Sequence, residues 1–147
     1  MLRGLTFPVA AASLLLGGCA SHLSYSEMQA IMPPQAADKG RIYVYREDAW
    51  LGNLVTPDVL LGSQTVGISN PGAYFFVDRT PGTYQVYCGN GERNSVSVSL
   101  APGQQVYVRT SVATSVVKAQ MITEVMPTQA AIPAIANLKY VASASAQ

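Results

Sequence analysis

The chain has 147 residues with nine Lys or Arg against eight Asp or Glu, so its formal charge is only +1. That balance excludes a broad basic surface for nucleic acid or for charge-driven binding to anionic lipid. Charged residues make up 12% against 49% apolar ones, and the length supports one β-rich domain with a real core rather than two.

Residues 1–18 have the build of an export signal. Arg3 supplies the positive start, and residues 5–16 form an apolar run shorter than the roughly 20 residues needed to span a bilayer. Leu16-Gly17-Gly18-Cys19 resembles the lipobox of bacterial lipoproteins. The resemblance implies a thioether-linked diacylglyceryl group on Cys19, cleavage before it, and acylation of the freed amine by palmitate or a similar chain. One acyl chain holds a protein only marginally and several hold it durably. Ala20 stands where an Asp would, by the same resemblance, favour inner-membrane retention, so the expected location is the periplasmic face of the outer membrane. The alternatives are an ordinary cleaved signal with a chance cysteine, or an uncleaved N-terminal helix, against which Pro8 argues.

Residues 19–37 lack strand patterning and are expected to be a lipidated, mostly flexible tether, broken by a short helix where Ser24 and Glu27 are spaced like a capping box. Such a coil would hold the domain about 20–25 Å from the lipid. The folded domain is placed at residues 38–126. It opens with Gly40-Arg41-Ile42-Tyr43-Val44-Tyr45-Arg46, an alternating run that predicts a strand. Arg41, Tyr43 and Tyr45 share one face, and Ile42 and Val44 the other.

A loop around Trp50 leads to Val59-Leu60-Leu61 and Thr65-Val66-Gly67-Ile68, whose Gly62-Ser63 link predicts a hairpin. Further strands are expected over 73–77, 83–88, 95–100, 105–112 and 116–125, with turns at Asn70-Pro71-Gly72, Pro81-Gly82, Gly89-Asn90-Gly91 and Pro102-Gly103. Turns at intervals of about eight to twelve residues are the rhythm of an all-β sandwich or barrel. The predicted fold is a small antiparallel β-sandwich of seven or eight strands. In residues 127–147 the pattern changes to a short helix, starting near Pro133 and packed on the tyrosine face, and a disordered Ser/Ala tail.

The ordered set of Ile42-Tyr43-Val44-Tyr45-Arg46, the 59–67 hairpin, Gly72-Ala73-Tyr74-Phe75, Pro81-Gly82-Thr83-Tyr84 and Gly103-Gln104-Gln105-Val106-Tyr107-Val108-Arg109 resembles a family of bacterial lipoproteins, the domain of unknown function 2846. The resemblance covers about residues 38–126. It implies a small β-sandwich in a lipid-anchored envelope setting and brings no activity with it.

Catalytic chemistry finds little material. The single histidine, His22, lies in the expected tether, so no Ser-His-Asp or Cys-His site is available in the domain. No Cys/His set has zinc spacing, and no cofactor motif is present. Glu47, Asp48 and Asp58 are the best acidic group and would make a hydrolase only by converging in a cleft with one pKa raised. Cys88 falls on the apolar side of its strand, as a small buried hydrophobe or, if exposed, a thiol that pairs with another chain.

The residues singled out for binding are Arg41, Tyr43, Tyr45, Trp50, Tyr107 and Arg109, with Arg46 and Tyr87 nearby in the pattern, because Tyr, Trp and Arg dominate interface hot spots and aromatic rings stack on sugars. The competing reading is that the tyrosines bury their rings under the helix while the arginines pair with Asp38, Glu47 or Asp78. The expected role is a non-enzymatic binding or structural module with an envelope-protein partner. A carbohydrate or peptidoglycan-binding module is the alternative, and it fails if the helix covers Tyr43 and Tyr107.

Overall fold

The computed structural model describes residues 22–50, 52–89, 91–114 and 119–144. Cys19 and the signal-like segment lie outside the described residues. In chain order the elements are α1 (Tyr25–Ile31), β1 (Gly40–Arg46), β2 (Asp58–Leu61), β3 (Gln64–Ile68), β4 (Ala73–Arg79), β5 (Gly82–Cys88), β6 (Val96–Leu100), β7 (Gln105–Thr114), β8 (Ala119–Met126), α2 (Thr128–Ala136) and β9 (Lys139–Tyr140). The strands form two packed sheets, β8-β7-β1-β4-β9 and β3-β2-β5-β6, an all-β sandwich with a helical layer on one outer face.

Period-2 alternation does the sorting. Ile42, Val44, Phe75, Val77, Val106 and Val108 point from the first sheet toward the second, where they meet Val59, Val66, Val86 and Val98. Gly67 is needed in this layer, because a Cβ there would lie 2.6 Å from the Phe75 ring. Gly62 has φ 58° and closes the β2–β3 hairpin at the predicted position. Cys88 is buried in the same core, and desolvation pushes its thiol up to about 11.

The sandwich is less regular than an antiparallel one. β1 pairs in parallel with β7, Ile42 opposite Val106 and Tyr43 opposite Tyr107, and β4 pairs in parallel with β9. Between β1 and β7 the chain builds the second sheet and lays β4 along one edge of β1, then returns to β1's other edge running the same way, which alternation within one strand does not reveal.

Two boundaries differ from expectation. The segment expected to be a tether is packed from its first described residues: His22 N–H donates to Tyr140 O at 3.1 Å, Ser24 bridges Lys139, and Met28 of α1 is buried among the tyrosines. Tyr25, Met28 and Met32 recur at helical spacing on α1's inner side, so the helix has an apolar stripe to bury. The Ser24–Glu27 capping box predicted from sequence is present. At the other end, α2 begins at Thr128, with Pro133 inside it. An internal proline removes one helical hydrogen bond. Burial of Ala131 and Ile135 holds the helix across it. A short strand, β9, follows α2, and in the Ser/Ala tail expected to be disordered Ala144 N–H donates to Val66 O at 2.9 Å.

Candidate functional site: a closed tyrosine layer and an open loop

The face of β1, β4 and β7 that looks away from the second sheet carries Tyr43, Tyr45, Tyr74, Phe76 and Tyr107, brought side by side by the strand register. Tyr43 and Tyr107 are direct neighbours and their rings stack at 5.0 Å, with planes 9° apart. Tyr25 of α1 meets Tyr43 and Tyr74 edge-on, and Tyr140 of β9 meets Tyr74 the same way at 5.7 Å. These are the offset and edge-to-face geometries that aromatic quadrupoles favour. α1 and α2 lie over the rings and leave Tyr43 with 0% exposure and Tyr107 with 2%.

The phenol groups are treated unequally. Tyr107 donates to Gln105 Oε1 at 3.1 Å and Tyr43 to the Met32 sulfur at 3.5 Å, while the buried Tyr74 hydroxyl has no hydrogen-bond partner among the described residues. Burial drives the Tyr74 and Tyr107 phenols far above the ordinary tyrosine range, with neighbouring tyrosines adding to the rise.

The three arginines named from sequence end in different places. Arg41 is buried at one end of β1, where Asp78 on the paired strand accepts from its Nε at 2.6 Å and Nη2 at 2.8 Å. Pro33 O also accepts from Nη2, the Met32 sulfur lies against Nη1, and the guanidinium sits 4.3 Å over the Phe76 ring. The Asp78 hydrogen bond is the main reason its pKa rises. Arg109 is half-buried and pairs with Glu124 at 2.7 Å, a partner that the sequence reading did not name. Arg46, at the far end of β1, is buried with its fork on backbone: Val55 O at 2.7 Å, Ser69 O at 3.0 Å and Gly52 O at 2.8 Å. Desolvation lowers its pKa, and the group remains a cation.

Arg46 thereby holds Gly52 and Val55, in the loop after β1, from inside. Gly52 has φ 89°, and a Cβ on it would lie 2.9 Å from Val112, so the loop crosses the end of the sandwich in close contact with β7. Asn53 Nδ2 donates to Asp48 Oδ1 at 3.1 Å. On this braced turn Trp50 is 86% exposed and Leu54 100% exposed, with Val55 partly exposed beside them.

Tyr43, Tyr45, Tyr107 and Arg41 are therefore brought together but covered, Arg109 is engaged at the rim, and Trp50 stands free. A ligand stacking on Tyr43 and Tyr107 would first have to displace α1 and α2, which is the condition under which the carbohydrate reading of that face fails. Glu47, Asp48 and Asp58 are exposed, and among the described residues no group of three or more His, Cys, Asp or Glu side chains is placed to hold a metal. The sequence reading missed Tyr25, Tyr74, Tyr140 and Met28 as members of the tyrosine layer, although the helical spacing of Tyr25, Met28 and Met32 was there to be used. It also missed Leu54 as the companion of Trp50.

The structure defines a β-sandwich with a helix-covered aromatic layer and one exposed apolar loop. The chain belongs to the family described as protein of unknown function (DUF2846), whose profile matches residues 36–123. Neither a curated protein nor a solved structure matches it.

Proposed function

We propose that this protein is a lipid-anchored component of the bacterial envelope, attached through Cys19 to the periplasmic face of the outer membrane, with a β-domain that serves as a non-enzymatic binding or structural module. The observation that carries the reading is Leu16-Gly17-Gly18-Cys19 following a short apolar run, with Ala20 after it. The domain supports it from the other side. Its packed surface begins at His22, three residues after the cysteine, so anchor and fold are set close together. No helix among the described residues is long and apolar enough to cross a membrane.

The placement of the reactive groups supports a structural or binding role. Phenols that titrate far above neutrality, a buried Cys88 and a buried Arg46 bonded to carbonyls build rigidity. The partner would be an envelope protein or the bilayer itself, met by surface outside the tyrosine layer.

Metabolic labelling with a clickable palmitate analogue, followed by membrane fractionation of wild type and Cys19→Ser, tests the anchor. The expected result is a labelled wild type that sediments with outer membranes and an unlabelled, uncleaved or soluble variant. An unlabelled wild type overturns the reading.

A further inference from the structure

We infer that the end of the sandwich carrying Trp50 and Leu54 rests on the bilayer, both side chains entering the interfacial zone of a zwitterionic, phosphatidylethanolamine-rich leaflet. The inference rests on the lipid-anchor reading above and adds the orientation and the contact surface.

The chain geometry brings the anchor to this end. Three residue steps separate Cys19 from His22, a reach of at most about 11 Å. His22 is hydrogen-bonded to Tyr140 and Ser24 bridges Lys139, so the anchor emerges beside the β9 edge of the first sheet. The register then crosses one end of that sheet: Ser24 opposite Lys139, Lys139 opposite Ala73, Ala73 opposite Arg46. Three strand spacings separate Ser24 from Arg46, about 15 Å. The row is continuous with the loop, because Lys139 N–H donates to Gly72 O at 3.0 Å and a Cβ placed on Gly72 would lie 3.7 Å from Asp48 Cβ. Trp50 follows two residues later. One plane can therefore meet the lipidated residue and the loop together.

The side chains fit lipid better than they fit a protein. Trp50 and Leu54 project from one turn, with Val55 partly exposed beside them, and so present an apolar tip rather than a concave pocket. An indole favours the bilayer interface, where its ring is in hydrocarbon and its N–H in the headgroups. Arg46 fixes the loop backbone, so insertion asks little ordering of the chain. Exposed His22 and Lys139 lie on the anchor side, where they can meet phosphate groups. Glu47 and Asp48 are exposed by the loop and oppose a strongly anionic surface, which selects zwitterionic lipid.

Trp50 is the only tryptophan in the chain, so its fluorescence reads this surface alone. The experiment uses full-length protein purified from membranes and reconstituted in phosphatidylethanolamine-rich vesicles, with and without brominated acyl chains, beside Leu54→Ser. The mass of the N-terminal peptide reports lipidation separately. The expected result is an acylated Cys19, blue-shifted Trp50 emission, acrylamide quenching severalfold weaker than that of free N-acetyltryptophanamide, quenching by the brominated chains, and a clear loss of that lipid quenching in Leu54→Ser. Acylated Cys19 with Trp50 as open to acrylamide as the free compound overturns this inference and leaves the anchor standing. An unacylated Cys19 overturns the anchor and this inference with it.

Discussion

Tyr43 and Trp50 are joined by a short stretch of chain, yet one is wholly covered and the other is 86% exposed. Tyr43 lies on a central strand whose outer face is roofed by α1 and α2, and its ring is part of a continuous aromatic layer. Trp50 lies where that strand has ended, on a turn pinned by Arg46 from beneath. Both carry side chains of the kind that dominate interfaces, so residue type does not distinguish them. What distinguishes them is whether another element of the chain has an apolar stripe to lay over them.

The largest effect is expected from removing the roof. Ile135→Ala should cost about 3–4 kcal/mol, because a fully buried side chain is lost from the α2 contact. In urea melts it should lower the midpoint, and it should raise the nitration rate of Tyr45 and Tyr107 in the native state. Asp78→Ala should cost about 3 kcal/mol by leaving the buried Arg41 guanidinium without its carboxylate. An unchanged midpoint would show that Pro33 O and the Phe76 ring are sufficient partners.

Alkali should loosen the core next. The thiol of Cys88 holds its proton more tightly when folded, with a pKa of about 11 against an ordinary value of 9.0. Its contribution is therefore fully present below pH 9 and lost as the pH rises through 11, a change of about 2–3 kcal/mol. The raised tyrosines, Tyr74 foremost, push in the same direction from about pH 10 upward. Urea midpoints measured across that range should fall, and Cys88→Ala should flatten the first part of the decline. Tyr74→Phe should gain about 1 kcal/mol, since the deleted hydroxyl is buried with no partner among the described residues. The smallest effect belongs to the open region: Leu54→Ser should change stability by less than about 0.5 kcal/mol, as its side chain is fully exposed.

Much of the sandwich was legible because strand alternation and Gly/Pro turns are local signals. β1 occupies the predicted residues, Gly40–Arg46, and the Gly62 hairpin falls where expected. The parallel pairing of β1 with β7 was not legible, since it depends on where the chain returns after building another sheet. Cover for the tyrosine face was anticipated from α2, and the second contributor, α1, was read as part of a tether because its capping box is local while its binding partner is the distant Tyr43. β9, a pair of residues held by β4 and by the Ser24 bridge, carries too little pattern of its own. Asp78 is one of the three acidic partners that the sequence offers the arginines, and Arg41 takes it. The backbone cage of Arg46 was not legible, because carbonyl acceptors have no sequence signature.

The contrast between the two aromatic regions is tested most directly by hydroxyl-radical footprinting of the native full-length chain with residue-level mass analysis. Fast oxidation of Trp50 and Leu54 is expected, with Tyr43, Tyr45, Tyr74 and Tyr107 protected until the domain unfolds. Tyr43 and Tyr107 oxidising as readily as Trp50 would contradict that contrast, and would return the tyrosine face to the surface as a place for ligands.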